Sequence, residues 1–175
     1  MSAGIRRVVL IGSMGSGKST VGRELADLWG WTFADADEVV EREAGCSVAD
    51  VFAAEGERGF RARERKVMSG LLREAACVIA SGGGWASEPG VWDALPDGTR
   101  TVWLRVSTRV ALERALADGG RERPLLSGPD PMETLERLRR DRAASYERAD
   151  LSIDTEGARP REIAERIATA LKESQ

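Results

Sequence analysis

Nine residues near the start of the chain constrain its fold most: Gly12-Ser13-Met14-Gly15-Ser16-Gly17-Lys18-Ser19-Thr20 satisfies the pattern G-x-x-x-x-G-K-[ST] at every fixed position. Val8-Val9-Leu10-Ile11 just before it is a short apolar run suited to a buried parallel strand, and residues 21–29 read as a helix. A strand that feeds a glycine-rich turn opening a helix offers unhindered backbone N–H groups to a polyphosphate, with the positive end of the helix dipole behind them. In this pattern Lys18 holds the β- and γ-phosphates and Ser19 offers its hydroxyl to Mg²⁺. Gly12, Gly15, Ser16, Gly17 and Thr20 complete the cradle. The plain alternative is a glycine-rich connection that binds nothing. Against it stand the fixed offsets, and the fact that an arginine-biased chain keeps lysine only at Lys18, Lys66 and Lys172. The motif points to a nucleoside triphosphate with magnesium, and leaves open what becomes of the γ-phosphate.

The rest of the composition narrows the chemistry. A length of 175 residues suits one domain, expected here over residues 1–175, and a hydrophobic share of 42% with 31% charged residues suits a soluble globular chain. No apolar run approaches the roughly 20 residues needed to cross a bilayer. Residues 1–7 lead into a strand rather than an apolar segment of about 7–15 residues, so a cytoplasmic address is expected. A formal net charge of −3 gives no field to attract nucleic acid, and the arginines of residues 137–142 are interspersed with acid. Cys46 and Cys77 have no metal-ligand spacing, and there is no histidine. A histidine general base, a Ser-His-Asp triad and a histidine-bound zinc are excluded. Acid-base chemistry falls to carboxylates or lysine.

Beyond the first helix, which should end near Gly30, Trp31-Thr32-Phe33-Ala34 reads as a second strand running into Asp35-Ala36-Asp37. Carboxylates at the end of such a strand belong on the ligand-binding edge of the sheet. If the chain is still extended there, Asp35 and Asp37 point to one side, able to hold Mg²⁺ through water and to receive a proton from an acceptor hydroxyl. Helix capping is the alternative, and one of the two acids can do both. Ser47 with Asp50 resembles a helix start. Gly56-Glu57-Arg58-Gly59-Phe60-Arg61 then opens a helix expected to run to about Ala75, in which Phe60 beside Arg61 suits a small carboxylated ligand or else is only a solvated face.

Cys77-Val78-Ile79-Ala80 reads as a third strand, followed by Gly82-Gly83-Gly84, a turn whose lack of bulk lets a ligand approach the backbone. Thr101-Val102-Trp103-Leu104 reads as the fourth strand, with Ser107 capping the helix after it. Residues 118–129 are rich in glycine, proline and arginine and read as a mobile lid or an exposed loop; an arginine such as Arg123 could swing over a transferred phosphate. Pro131 opens a helix carrying Arg142, Leu151-Ser152-Ile153 is a short fifth strand, and a last helix after Pro160 places Ile163, Ile167, Ala170 and Leu171 on one face. The expected fold is a three-layer α/β P-loop domain with a five-stranded parallel sheet.

Over nearly its whole length the chain resembles the shikimate kinase family. The resemblance rests on the P-loop, the Asp35 and Asp37 pair, the Gly56–Arg61 segment with Glu64 one turn on, the triple glycine, Arg123-Pro124-Leu125-Leu126 in the lid, and Arg142 with Tyr146. It implies transfer of the γ-phosphate of ATP to the 3-hydroxyl of shikimate, a step of aromatic amino-acid synthesis. By position it assigns the carboxylate to Arg61 and Arg142, and the reacting hydroxyl to Asp37 with Gly83 and its neighbours Gly82 and Gly84 close by. It assigns transition-state charge to Lys18 and Arg123, and Mg²⁺ to Ser19 and Asp35. The partners implied are shikimate and ATP, bound by a monomer without nucleic acid or membrane. Three departures from the family pattern matter. Trp85 replaces a usually small residue and is expected to line or narrow the acceptor pocket. The approach to the lid is longer over residues 114–123, and residues 155–159 align poorly, so the adenine contact falls to Arg114 or Arg159. A related kinase for gluconate or a nucleoside monophosphate, and a non-catalytic nucleotide-binding module, are the rival readings.

Overall fold

The computed structural model describes residues 4–117 and 124–173. Its first strand, β1 (Arg7–Ile11), is buried along its whole length and takes the centre of a five-stranded parallel sheet of order β2-β3-β1-β4-β5. The other strands are β2 (Thr32–Asp35), β3 (Cys77–Ala80), β4 (Thr99–Arg105) and β5 (Leu151–Asp154). A strand covered on both faces has no polar side to show, which is why Val8-Val9-Leu10-Ile11 lacks alternation. Val8 and Leu10 face one core with α1 (Lys18–Trp29) and α6 (Pro160–Glu173). Val9 and Ile11 face the other with α2 (Ala36–Ala44), α3 (Val48–Leu71) and α5 (Pro131–Tyr146). The remaining helix is α4 (Thr108–Ala117).

The chain runs from β1 out to β2, returns to β3 beside β1, and then crosses to β4 on the other side. Connections therefore diverge at the carboxyl end of β1, opening a crevice there. At the opposite end of the sheet the buried Arg7 donates to the Glu74 and Asp97 carbonyls at 2.9 and 3.1 Å and to Thr99 Oγ1 at 3.1 Å, closing that edge.

The helix ends follow the capping residues. Gly30 and Gly45, both with positive φ, close α1 and α2. Ser47 and Asp50 form a reciprocal capping box at the start of α3. Two expectations shift. The helix placed from Gly56 to about Ala75 is the second half of α3, which begins at Val48, is kinked at Gly56 (φ 68°, ψ −178°) and ends at Leu71. The second strand ends on Asp35, so Asp37 already lies in the first turn of α2 and the two acids are not on one extended segment. On α6, Ile163, Ile167 and Leu171 are buried together with Ala164 and Ala168, while Ala170 stands at the margin. Among the described residues no helix is long and apolar enough to cross a membrane.

Candidate active site

The phosphate cradle is built by backbone that only glycine permits. Gly12, Gly15 and Gly17 have φ of 143°, 73° and 91°. A Cβ at Gly12 would stand 2.6 Å from the Leu104 carbonyl oxygen, and one at Gly15 would stand 2.1 Å from that of Ala111. Strand β4 and helix α4 thus press directly on the loop and set its curvature. Lys18 Nζ donates to the Gly12 and Ser13 carbonyls at 2.8 and 2.9 Å. The ammonium is therefore held within the loop, where a polyphosphate oxygen can replace a carbonyl as its acceptor. Ser16 Oγ is fully buried and has no hydrogen-bond partner among the described residues.

Asp35 combines the two roles left open by the sequence. Its Oδ1 accepts from Asp37 N–H at 3.0 Å and Glu38 N–H at 3.3 Å, capping α2, while its Oδ2 accepts from the Ser19 hydroxyl. A hydroxyl and a carboxylate side by side at the mouth of a phosphate cradle form a hard oxygen donor set, which fits Mg²⁺ bound largely through phosphate oxygens and water. Among the described residues there is no group of three or more acids, cysteines or histidines that would hold a metal alone, in keeping with such a shared site.

Arg114 and Arg159 separate clearly. Arg114 lies along the nucleotide crevice, its Nη1 donating to Thr155 Oγ1 at 3.1 Å and to the Gly15 carbonyl at 3.4 Å, its Nη2 to the Thr155 carbonyl at 3.1 Å. Arg159 is exposed at the start of α6, paired with Glu162 at 2.8 Å, and is not part of the crevice wall. Arg123 lies outside the described residues.

A second pocket adjoins the crevice, and the two share Met14, Asp37 and Gly83 as walls. Arg61, Arg142, Phe52 and Phe60 also line this second pocket, together with the triple-glycine turn. Here the structure gives the three glycines an unexpected purpose. The close approach their lack of bulk allows is that of the protein's own charged groups. A Cβ at Gly82 would stand 1.8 Å from Glu64 Oε1, at Gly83 3.2 Å from Arg142 Nη1, and at Gly84 2.3 Å from Arg61 Nη2.

Arg61 is pinned by carboxylates: Nη1 donates to Glu64 Oε2 at 2.6 Å, Nη2 to Glu57 Oε1 at 3.4 Å, and Glu88 lies 4.0 Å from Nε. Its guanidinium also stands 5.4 Å from the centre of the Phe60 ring. Glu64 is 1% exposed, and burial pushes its carboxyl above the usual range against the pull of Arg61. Its Oε1 has no hydrogen-bond partner among the described residues.

Trp85 corrects an expectation. It is 3% exposed in a 3-10 turn (Trp85–Ser87), packed in the core on the α3 side of the sheet, and does not line the acceptor pocket. The large ring after the triple glycine fills space in the core and adds no wall to the pocket. Sequence reasoning passed over Met14, Val48 and Phe52 as pocket residues, although the spacing of Val48 and Phe52 on α3 places them on one helical face.

A P-loop on the central strand of a parallel sheet, with a polar crevice over it and an arginine-walled pocket joining that crevice at a carboxylate, defines a P-loop kinase of small molecules. The family model for shikimate kinase matches residues 14–172. The chain is 43% identical to a shikimate kinase of Synechococcus sp. (strain RCC307) over 162 residues, 93% of this chain and 82% of that protein. It is 42% identical to one of Halorhodospira halophila, covering 95% and 93% of the two chains. The solved shikimate kinase of Acinetobacter baumannii in complex with shikimate superposes with a TM-score of 0.92 at 34% identity, over 98% of this chain and 95% of that one. A gluconokinase from Sinorhizobium meliloti, with a TM-score of 0.62 at 20% identity over 99% and 94% of the chains, shares the fold alone. The chain belongs to the shikimate kinase family.

Proposed function

We propose that this protein transfers the γ-phosphate of ATP to the 3-hydroxyl of shikimate, giving shikimate 3-phosphate and ADP, in the cytoplasmic synthesis of aromatic amino acids. The observation that carries the reading is the pair Arg61 and Arg142 packed against the triple-glycine turn, in a pocket that meets the P-loop crevice at Asp37. Two guanidinium groups beside an uncharged turn suit one small carboxylate, and a carboxylate at the junction suits a hydroxyl that must lose its proton. Trp85, buried in the core, adds no bulk to that pocket.

In this assignment Arg61 and Arg142 hold the carboxylate of shikimate, with Gly82, Gly83 and Gly84 against its ring. Asp37 orients the 3-hydroxyl and accepts its proton. The hydroxyl oxygen forms the new bond to the γ-phosphorus as the bond to the β–γ bridging oxygen breaks, leaving ADP. Ser19 and Asp35 would hold Mg²⁺, which when bound would supply neutralisation of phosphate charge. Gly12, Gly15, Ser16, Gly17, Lys18 and Thr20 bind the phosphates. Lys18 follows the γ-phosphate, joined by Arg123. Arg114 takes the adenine side in place of Arg159, because it is the one that stands on the crevice. The enzyme acts as a single-domain monomer on small molecules, with no nucleic acid or membrane partner.

The test is ADP release from purified protein with Mg-ATP and shikimate, beside gluconate, other polyhydroxylated acids and nucleoside monophosphates. Shikimate-dependent release is expected. Release with another acceptor alone would overturn the substrate, and release with none would overturn the enzymatic reading.

A further inference from the structure

The triple-glycine turn has no side chains to hold its own shape, and the groups packed against Gly82 and Gly84 leave no room for any. Glycine peptides rotate at little steric cost, so something outside the turn must choose which way each peptide faces. The carbonyls of Gly82 and Gly84 accept from the N–H groups of Trp85 at 3.2 Å and Ser87 at 3.0 Å within the following 3-10 turn. The remaining carbonyl, that of Gly83, accepts from the Tyr146 hydroxyl at the end of α5. All three carbonyls are engaged. The N–H groups of Gly82, Gly83 and Gly84 donate to no backbone carbonyl among the described residues.

In a trans peptide the C=O and N–H point in opposite directions. Drawing the Gly83 carbonyl to Tyr146 therefore sends the Gly84 N–H the other way, and keeps a partly negative oxygen from turning toward a carboxylated acceptor. Arg142 stands one helical turn earlier on the same helix, and its charge acts on the phenol. A hydroxyl has one proton to give, and here it goes to the Gly83 carbonyl. Burial pushes the phenol's ionisation upward against the pull of Arg142, so the proton stays. Tyr146 is itself 1% exposed, with its ring 5.7 Å from that of Trp103 on β4, so its hydroxyl is carried on a rigid support.

We propose that Tyr146 is a positioning residue for the acceptor: its hydroxyl locks the Gly83–Gly84 peptide with its carbonyl turned away from the substrate. This rests on the acceptor assignment above. Without the hydroxyl the peptide can flip, and acceptor affinity falls while the P-loop is untouched.

The variant is Tyr146→Phe, which keeps the ring and removes one hydroxyl. We expect KM for shikimate to rise about tenfold, as for loss of one buried hydrogen bond. KM for ATP should stay within about twofold, a split that general loosening would not produce. A second readout uses the protein intact. The chain has a single tyrosine, so growth on 3-fluorotyrosine yields one ¹⁹F resonance, expected to move when shikimate is added to the Mg-ADP complex. An unchanged shikimate KM, or parallel rises in both KM values, would overturn the proposal. If the variant does not fold, an unmoved fluorine resonance would overturn it instead. No shikimate turnover by the unsubstituted enzyme would reject the shikimate reading, and the same comparison with whichever acceptor is turned over then decides the role of Tyr146.

Discussion

At the residue scale the site is a set of charges held by backbone that glycine makes available. Lys18 illustrates how little of this concerns folding. Its bonds to the Gly12 and Ser13 carbonyls are local to the loop, so Lys18→Ala should lower kcat by about 10²–10³ or more, while the thermal midpoint moves little. Near-normal turnover would remove Lys18 from the transition state. Glu64 is the opposite case, a buried acid whose work is to hold Arg61. Because burial raises its folded pKa, the folded chain keeps that proton more tightly than the unfolded one. Stability from this group is therefore fully present below the usual carboxylate range and is lost as pH rises from there through the raised value. Glu64→Gln should flatten that part of the profile, measured as thermal midpoint against pH for both proteins. A variant that keeps the full slope would place the titration elsewhere.

At the element scale, α3 links the acceptor pocket to the core through its kink. Gly56 is in a backbone region essentially closed to other residues, yet its Cβ position is open space. The cost of substitution is thus purely conformational. Gly56→Ala should destabilise the protein by about 1–3 kcal/mol in urea unfolding; no loss would mean that α3 straightens freely. The kink turns the first half of α3 so that Phe52 meets Phe60, with ring centres 4.7 Å apart. The bidentate pair of Arg63 with Glu55 ties the two halves together. The sequence marked the Ser47 cap and a boundary at Gly56, read there as the opening of a separate helix. That the two pieces form one bent helix depends on contacts made across the bend.

At the scale of the molecule, both pockets open where the sheet's connections diverge, and they share walls. A ligand that binds only the folded chain adds about 2.7 kcal/mol at a hundred times its Kd. For a chain of this size each kcal/mol corresponds to about 2–4 °C. Mg-ADP at that concentration should therefore raise the thermal midpoint by about 5–10 °C, and shikimate should raise it further. A flat response to Mg-ADP would contradict the P-loop assignment.

The sequence by itself determined the elements whose cause is local. The P-loop follows from offsets that its geometry demands, the five strands from short apolar or β-favouring runs, and the helix ends at Gly30 and Ser47 from residue chemistry. It also marked Asp37, Arg61 and Arg142, which the fold gathers into one pocket from α2, α3 and α5. Only the tertiary structure decided what depends on packing between distant segments. It put β1 at the centre of the sheet, buried Trp85 in the core, set Arg114 rather than Arg159 on the crevice, and closed the triple glycine over charged side chains. The physical reason is range: hydrogen-bonding and steric preferences act over a few residues, whereas the direction a buried side chain faces is set by neighbours that the chain brings together only on folding.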